Sequence, residues 1–354
     1  IHLNIGQPDI ETPSEFWEAI RDFPEQTLAY GPSAGRVECV DSMIEYYGRF
    51  DIVLESQHIV VTTAGSESLL FALMSCCDAG DEVIVPEPYY SNYAGMAAMA
   101  GLRLVPLTTR AEEGYHLPDR EVIEDLITDR TRAILYSSPG NPTGVVYTPD
   151  EINMLADLAR QHGLFILSDE PYRELTYDGD LATSILHVPN FEEHAVMLDS
   201  ISKRFSACGA RVGCIVSRNE DLMQAVMKLA MARLSAPVLE QIGAAACVRH
   251  TPDSYFTGVR EEYSRRRDIV YEKMNQVEGV VCPKPAGAFY AMARIEGVDT
   301  DDFARWLLTD FEQDGETVMV APGEGFYSTP GLGQDEVRIA YVLDTDTLSR
   351  AMDL

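Results

Sequence analysis

One lysine stands in an unusual setting within the stretch "DSISKRFSACGARVGC", residues 199–214. Lys203 is one of four lysines in the chain, and it lies between a short apolar run and the small residues "FSACGA". These flanks indicate that the lysine is buried rather than exposed to water. Burial lowers the pKa of a lysine amine below its free value of about 10.4 and makes the amine nucleophilic. Arg211 follows just before the next apolar run, where its guanidinium could hold an oxyanion.

Four other apolar runs are also followed by polar or aromatic residues. After "HIVVT", Gly65 and Ser66 begin a helix whose free amides favour an anion, although alone they indicate only a tight turn. After "DEVIVPEP" comes Tyr90, which alone would be taken as a packing residue. The loop "PGNPTG" holds Asn141, either as a ligand contact or as an ordinary Asn-Pro turn. Asp169 ends the run "LFILS", where a carboxylate needs a cationic partner unless it caps a helix.

Together these strand ends supply what a flat, anionic, electron-withdrawing ring requires. Amides, hydroxyls and the arginine suit a phosphate, and an aromatic side chain suits the face of the ring. The carboxylate suits a pyridine nitrogen, and the lysine suits an aldehyde, with which it forms an imine. The sequence therefore predicts pyridoxal 5'-phosphate as the cofactor, bound at the carboxyl ends of strands.

These residues need a sheet that brings the strand ends together. From about residue 58 to residue 217, seven short strand-like runs alternate with helical periodicity, which is typical of a largely parallel, layered α/β fold. The clearest helix is in "TPDEINMLADLARQHG", with Thr148 as the N-cap and Pro149 at the first helical position. Glu151 completes a capping box, and Gly163 ends the helix.

The pattern changes beyond about Ala236. "YFTGVREEYSRRRDIVYEKMNQ" predicts a long amphipathic helix, and "GVVCPKPAGAFYAMARI" is interpreted as another helix before "EVRIAYV". These segments indicate a smaller α+β domain. We predict a large domain over residues 28–260, and a small domain formed by residues 1–27 and 261–354.

Composition excludes several classes of partner. The formal net charge of -30 argues against nucleic acid and anionic membrane surfaces, both of which need basic patches. No long apolar run predicts a membrane span, and no signal peptide is evident. Seven cysteines without a C-x-x-C pair indicate reduced thiols and a cytoplasmic location. The histidines lack ligand spacing, so no metal is expected. Both ends of the chain look trimmed.

The motifs also occur in the order and spacing of a known family. The chain resembles the class I/II aminotransferases, the fold-type I pyridoxal-phosphate enzymes similar to aspartate aminotransferase. The resemblance extends from "LNIGQPDIETP" to "VRIAYV". Its most specific motifs are "SISKRFSACGARVG" and the pair formed by "SSPGNPTG" and "SDEPYREL".

The resemblance implies a role for each candidate site residue. Lys203 is the Schiff-base lysine and proton carrier, and it forms the catalytic group with Asp169 and Tyr172. For the cofactor ring, the resemblance implies contacts of Asp169 with the pyridine nitrogen, of Tyr172 and Asn141 with the phenolic oxygen, and of Tyr90 with the ring face. For the phosphate, it implies contacts with Gly65, Ser66, Ser200 and Arg211, and it places Tyr30 at the phosphate of the neighbouring subunit. For the substrate, it implies contacts with Gly6, Asn141 and Arg338, and Arg338 binds the α-carboxylate.

The sequence departs from the family at two of these positions. Ala64 replaces a residue that gives a hydroxyl to the phosphate in many relatives. Ser66 stands where some aspartate-specific relatives have a lysine that helps to bind the distal carboxylate. Arg36 is a possible substitute for that lysine, but a surface position explains it better.

The resemblance implies a homodimeric, cytoplasmic aminotransferase with shared active sites and a ping-pong mechanism. We rank the amino donors as aspartate, then alanine, then aromatic amino acids, with 2-oxoglutarate as an acceptor. A β-lyase or decarboxylase of the same fold remains open, because the lysine chemistry is shared. A serine hydrolase that uses Ser200 and Lys203 is set aside, because no lysine here is followed by Thr-Gly. A DNA-binding regulator built on this fold is disfavoured by the acidic charge.

Overall fold

A seven-stranded sheet forms the centre of the larger part of the protein. The structure is a computed structural model that describes residues 1–179 and 182–354. The strands of this sheet are β1 (Ile59–Thr62), β2 (Glu82–Glu87), β3 (Arg103–Thr108), β4 (Thr131–Ser137), β5 (Phe165–Asp169), β6 (Ala195–Ser200) and β7 (Gly213–Val216). Their order is β1-β7-β6-β5-β4-β2-β3, and β7 is antiparallel to both of its neighbours while the other pairs are parallel. The predicted layered α/β fold with a largely parallel sheet is confirmed.

Apolar side chains fill both faces of this sheet. In β1, Val60 belongs to one buried cluster, while Ile59 and Val61 belong to another. Strands covered on both faces read as continuous apolar runs, which explains why all seven were visible in the sequence. The helices are α1 (Ser14–Arg21), α2 (Val37–Gly48), α3 (Ala64–Cys76), α4 (Asn92–Ala100), α5 (Arg120–Glu124), α6 (Pro149–His162), α7 (Ile201–Arg204), α8 (Glu220–Arg233), α9 (Val238–His250), α10 (Asp253–Met274), α11 (Thr300–Thr309) and α12 (Thr345–Asp353).

Helix α6 begins and ends as its sequence predicts. The Glu151 amide donates to Thr148 Oγ1 at 3.2 Å, and the Thr148 amide donates to the Glu151 carboxylate at 2.7 Å. This reciprocal pair is a capping box, and it satisfies two amides at the helix start. Gly163 follows the last turn with φ of 66°, in the left-handed region.

A second, antiparallel sheet lies in the C-terminal part. Its strands are β8 (Val280–Val281), β9 (Tyr290–Ile295), β10 (Ala321–Pro322) and β11 (Glu336–Ala340), in the order β10-β11-β9-β8. The helix predicted over "GVVCPKPAGAFYAMARI" is therefore wrong, because this segment forms β8 and β9. Pro283 and Pro285 break a helical ladder there, and β9 instead pairs along its length with β11.

Helices α8, α9 and α10 join β7 of the first sheet to β8 of the second, and the long helix α10 forms as predicted. The domain division at residues 27/28 and 260/261 remains a prediction, and its second position lies within α10. Within residues 1–179 and 182–354, every helix is too short or too polar to cross a lipid bilayer.

Candidate active site

A cavity of about 380 Å³ lies where β4, β5 and β6 end, a volume within the usual range of small-molecule sites. It brings together eleven of the twelve predicted site residues. These are Gly6, Gly65, Ser66, Tyr90, Asn141, Asp169, Tyr172, Ser200, Lys203, Arg211 and Arg338. The twelfth, Tyr30, lies outside it.

Lys203 projects into the cavity from the single helical turn α7. Its Nζ donates a hydrogen bond to the Gly6 carbonyl at 2.8 Å and lies 3.7 Å from Cys208 Sγ. Burial lowers the pKa of this amine, and the positive charges of Arg211 and Arg338 add to the effect. A larger share of the amine is therefore uncharged near neutral pH than for a free lysine.

A buried ion pair holds the turn that carries Lys203. The guanidinium of Arg204 donates to the Asp199 carboxylate at 2.5 Å, and both side chains are almost fully buried. The same carboxylate accepts the Ser200 amide at 2.7 Å and the Tyr47 hydroxyl at 2.6 Å. Because Asp199 lies near the end of β6 and Arg204 is the last residue of α7, their contact fixes the strand end and the helical turn together.

Asp169 faces the cavity from the end of β5. The expected cationic partner is not present among the described residues; the carboxylate instead accepts the neutral Tyr93 hydroxyl at 2.6 Å. Burial raises its pKa to about 7, and the negative charges of Asp199 and Glu170 add to the rise, although the Tyr93 hydrogen bond opposes it. A cation placed beside this carboxylate would stabilise its ionised form.

The start of α3 lines another part of the cavity. The Thr63 side chain makes no capping hydrogen bond, although the Thr63 amide donates to the Glu67 carboxylate at 2.7 Å, and Ala64, Gly65 and Ser66 in the first helical turn line the cavity. Gly213 lets β7 approach closely, because a Cβ there would lie 2.6 Å from the Ala64 carbonyl carbon. Arg211, at φ of 56°, places its charge on the same cavity.

Arg338 is held on the other side by the second sheet and the N-terminal segment. Its guanidinium lies between the rings of Tyr290 and Phe326, at 4.8 Å from each centroid. It donates to Asn141 Oδ1 at 3.0 Å and to the Asn4 carbonyl at 2.7 Å. Its Nε is buried without a hydrogen-bond partner among the described residues.

Several residues that line the cavity were missed by the sequence analysis. They are Asn4, Tyr93, Ser202, Cys208 and Tyr290. Tyr290 is on β9, the strand that was mistaken for a helix, so its inward position was not recognised. The available signal was the short, continuous apolar run "FYAMA" after two prolines and a glycine, which is consistent with a fully buried strand.

Tyr30 and Arg36 lie apart from this cavity. Tyr30 is 82% exposed and lines a separate surface depression with Leu28 and Pro237. Arg36 pairs with Glu38 at 3.2 Å, which agrees with the surface position favoured for it.

The chain matches the family described as aminotransferase class I and II over residues 1–354. It is 32% identical to an aspartate aminotransferase of Bacillus subtilis, covering 100% of this chain and 89% of that protein. It is 30% identical to aromatic-amino-acid aminotransferase 2 of Thermococcus litoralis, covering 100% and 90%. Among solved structures, it is similar to an alanine aminotransferase of Pyrococcus furiosus, with a TM-score of 0.90, 29% identity and coverage of 100% and 90%. The chain therefore belongs to the class I and II aminotransferases, a family of pyridoxal-phosphate-dependent enzymes, and it has the fold of that family.

Proposed function

We propose that this aminotransferase moves the amino group of an L-amino acid to a 2-oxo acid such as 2-oxoglutarate by a ping-pong mechanism, with pyridoxal 5'-phosphate in the cavity. The observation that carries the proposal is the convergence of three groups on one cavity: the Lys203 amine, the Asp169 carboxylate and the Arg338 guanidinium. They suit an aldehyde, a pyridine nitrogen and a substrate carboxylate respectively.

The residues present fit this cofactor. Asp169 has a raised pKa and a neutral partner, and a protonated pyridine nitrogen supplies the cation that it lacks. The free amides at the start of α3, with Ser200 and Arg211, suit a phosphate. When bound, pyridoxal phosphate supplies an electron sink that stabilises negative charge at the substrate α-carbon.

Each remaining step belongs to a side chain of this protein. Arg338 binds the substrate α-carboxylate through its guanidinium, oriented by Asn141. With its lowered pKa, Lys203 Nζ would be the base that accepts the proton from the substrate α-carbon and carries it to the C4' atom of the cofactor. Tyr172, on the loop after β5, would donate a hydrogen bond from its hydroxyl to the phenolic oxygen of the ring.

We rank aspartate first among the amino donors, followed by alanine and aromatic amino acids. Relatives at about 30% identity include enzymes named for each of these three classes. The charge of the cavity distinguishes aspartate from alanine, because the three cationic side chains that line it, Lys203, Arg211 and Arg338, all have other roles. Aspartate therefore requires a further cation from a partner subunit, whereas alanine does not.

The proposal includes a homodimer in which Tyr30 contacts the phosphate held by its partner. Exposed apolar side chains support a covered face: Leu28, Tyr30 and Leu234 are 60%, 82% and 52% exposed. Dimerisation is tested by sedimentation of the protein and of a Leu28→Glu variant, which we expect to be monomeric. A cytoplasmic location is also proposed, in keeping with seven unpaired cysteines among the described residues.

An absorbance titration tests the function directly. Purified protein with pyridoxal phosphate should show a cofactor band that bleaches reversibly with the amino donor, while Lys203→Ala should lose the band and at least about 10³-fold in kcat. Lys228→Ala is the matched control, because Lys228 lies on the exposed side of α8. Glutamate formed from 2-oxoglutarate identifies transamination, and pyruvate with ammonia from a cysteine derivative identifies a lyase. A wild-type protein without a band contradicts the proposal.

A further inference from the structure

Tyr290 lines the cavity and contacts Tyr172, Arg338 and Gly6. Its hydroxyl lies 3.0 Å from the Tyr172 hydroxyl, and both side chains are buried. Its ring covers one face of the Arg338 guanidinium. A Cβ built at Gly6 would overlap the Tyr290 hydroxyl, so these two residues are in direct contact. The Gly6 carbonyl in turn accepts the Lys203 amine.

The hydrogen bond between the two hydroxyls can run in either direction, because each hydroxyl carries one proton. Burial raises the pKa of Tyr290 to about 12 and holds the pKa of Tyr172 well above its usual range, so both remain protonated at neutral pH. If Tyr172 donates to Tyr290, it has no proton left for a ligand. If Tyr290 donates to Tyr172, the Tyr172 proton is free to face the cavity. A ligand oxygen that bears negative charge selects the second arrangement.

Donation from Tyr290 also strengthens Tyr172 as a donor. A hydroxyl that accepts one hydrogen bond is polarised and donates more strongly to a third group. Tyr290 thereby acts on the cofactor site through another side chain, without touching a reacting atom. The same residue stacks on Arg338, so its ring and its hydroxyl act on different parts of the site.

We propose that Tyr290 is a positioning residue of the transamination site, whose hydroxyl orients the Tyr172 proton toward the cofactor and whose ring holds Arg338 for the substrate carboxylate. This inference rests on the proposed function. It assigns two separable roles to one side chain, and substitutions can address each role alone.

The hydroxyl is tested with Tyr290→Phe, Tyr172→Phe and the double variant, each loaded with pyridoxal phosphate. We measure the pH midpoint of the cofactor absorbance. A weaker donor at the phenolic oxygen leaves the proton on the Lys203 nitrogen more tightly held, so Tyr290→Phe should raise the midpoint by about half to one pH unit. Since Tyr290 acts through Tyr172, the double variant should match Tyr172→Phe. Additive shifts, or no shift in Tyr290→Phe, would overturn the role of the hydroxyl.

The ring is tested with Tyr290→Leu, measured beside Tyr290→Phe. Loss of the stacked ring should raise KM for both the amino acid and the 2-oxo acid about tenfold, while Tyr290→Phe restores KM to within about twofold of wild type. Equal KM values in the two variants contradict the role of the ring.

Tyr341→Phe is the matched control for both tests. Tyr341 is buried, it does not line the cavity, and its hydroxyl bonds the Ala288 carbonyl at 3.4 Å. It should change only the unfolding temperature. If Tyr290→Phe behaves in the same way, its role is merely structural and the inference fails. A wild-type protein that shows no cofactor band instead overturns the proposed function, and this inference with it.

Discussion

The two sides of the cavity are built in different ways. On the sheet side, Asp169 and Ser200 end strands β5 and β6, and Lys203 follows on the next helical turn. On the other side, Arg338 and Tyr290 come from the antiparallel sheet, and Gly6 comes from the N-terminal segment. The first side is built from contiguous strand–turn–helix units. The second side brings together residues more than 280 positions apart, as in the contact of Arg338 with Asn4.

This difference divides the proposed chemistry. Groups suited to the cofactor lie on the sheet side, fixed by buried contacts such as the Asp199–Arg204 pair. Groups suited to the substrate carboxylate lie mostly on the other side, where the Arg338 guanidinium lines the cavity. Except for the Tyr290 hydroxyl, which reaches the sheet side through Tyr172, substitutions on the two sides should therefore change different measurements.

After Lys203→Ala, the largest expected effect is that of Asp169→Asn on the sheet side. The amide cannot supply the negative charge that suits a protonated ring nitrogen, so kcat should fall by about 10²–10³-fold. KM should change much less, since Arg338 is untouched. Steady-state kinetics with saturating cofactor measure both values. A rise in KM with unchanged kcat would show that the two sides are not separate.

The same variant has a second readout in the cofactor-free protein. Folding raises the pKa of the Asp169 carboxyl from 3.8 to about 7, so between these pH values the folded state holds a proton that the unfolded state has released. The contribution of this group to the free energy of unfolding is therefore full below about pH 4 and is lost as the pH rises to about 7. Because the asparagine side chain does not titrate, Asp169→Asn does not lose this stability as the pH rises. At pH 8 the cofactor-free variant should be more stable than wild type by about 1–3 kcal/mol, allowing for solvent in the cavity, and the advantage should shrink toward pH 5. Urea unfolding at the two pH values measures it.

A smaller effect is expected from Arg338→Lys on the substrate side. An ammonium cannot reproduce the guanidinium fork or its stacking between two rings, so KM for both substrates should rise about 10–30-fold. The pH midpoint of the cofactor absorbance should stay within about 0.3 unit, because this midpoint reports the sheet side. Arg294→Lys, on β9 and paired with Glu112 outside the cavity, is the control and should leave KM unchanged. A large shift of the midpoint in Arg338→Lys would contradict the division.

The same difference explains what the sequence could predict. Strands buried on both faces appear in the sequence as apolar runs, and residues such as Asp169 follow these runs directly. The order of residues along the chain was therefore enough to predict that the site residues of the sheet side lie together. Tyr93 contacts Asp169 across 76 positions, and nothing in the local pattern signals that contact. Tyr290 was not predicted as a site residue because a helix was predicted where β9 forms. Pairing with a strand nearly fifty residues further along decides its conformation, and that contact is not local.

The smallest expected effect is that of Thr148→Ala, and it tests whether the scaffold on the sheet side is separable from the site. Loss of the capping box should lower the free energy of unfolding by about 1 kcal/mol. Helix α6 leads directly into β5, the strand that ends at Asp169, yet its cap lies at the far end of the helix. We therefore expect kcat, KM and the cofactor midpoint to remain unchanged. Thr257→Ala, on the exposed side of α10, should change stability by less than about 0.5 kcal/mol. If Thr148→Ala lowers kcat while the protein remains folded, strain at the helix start reaches Asp169, and the sheet side is less rigid than its buried contacts imply.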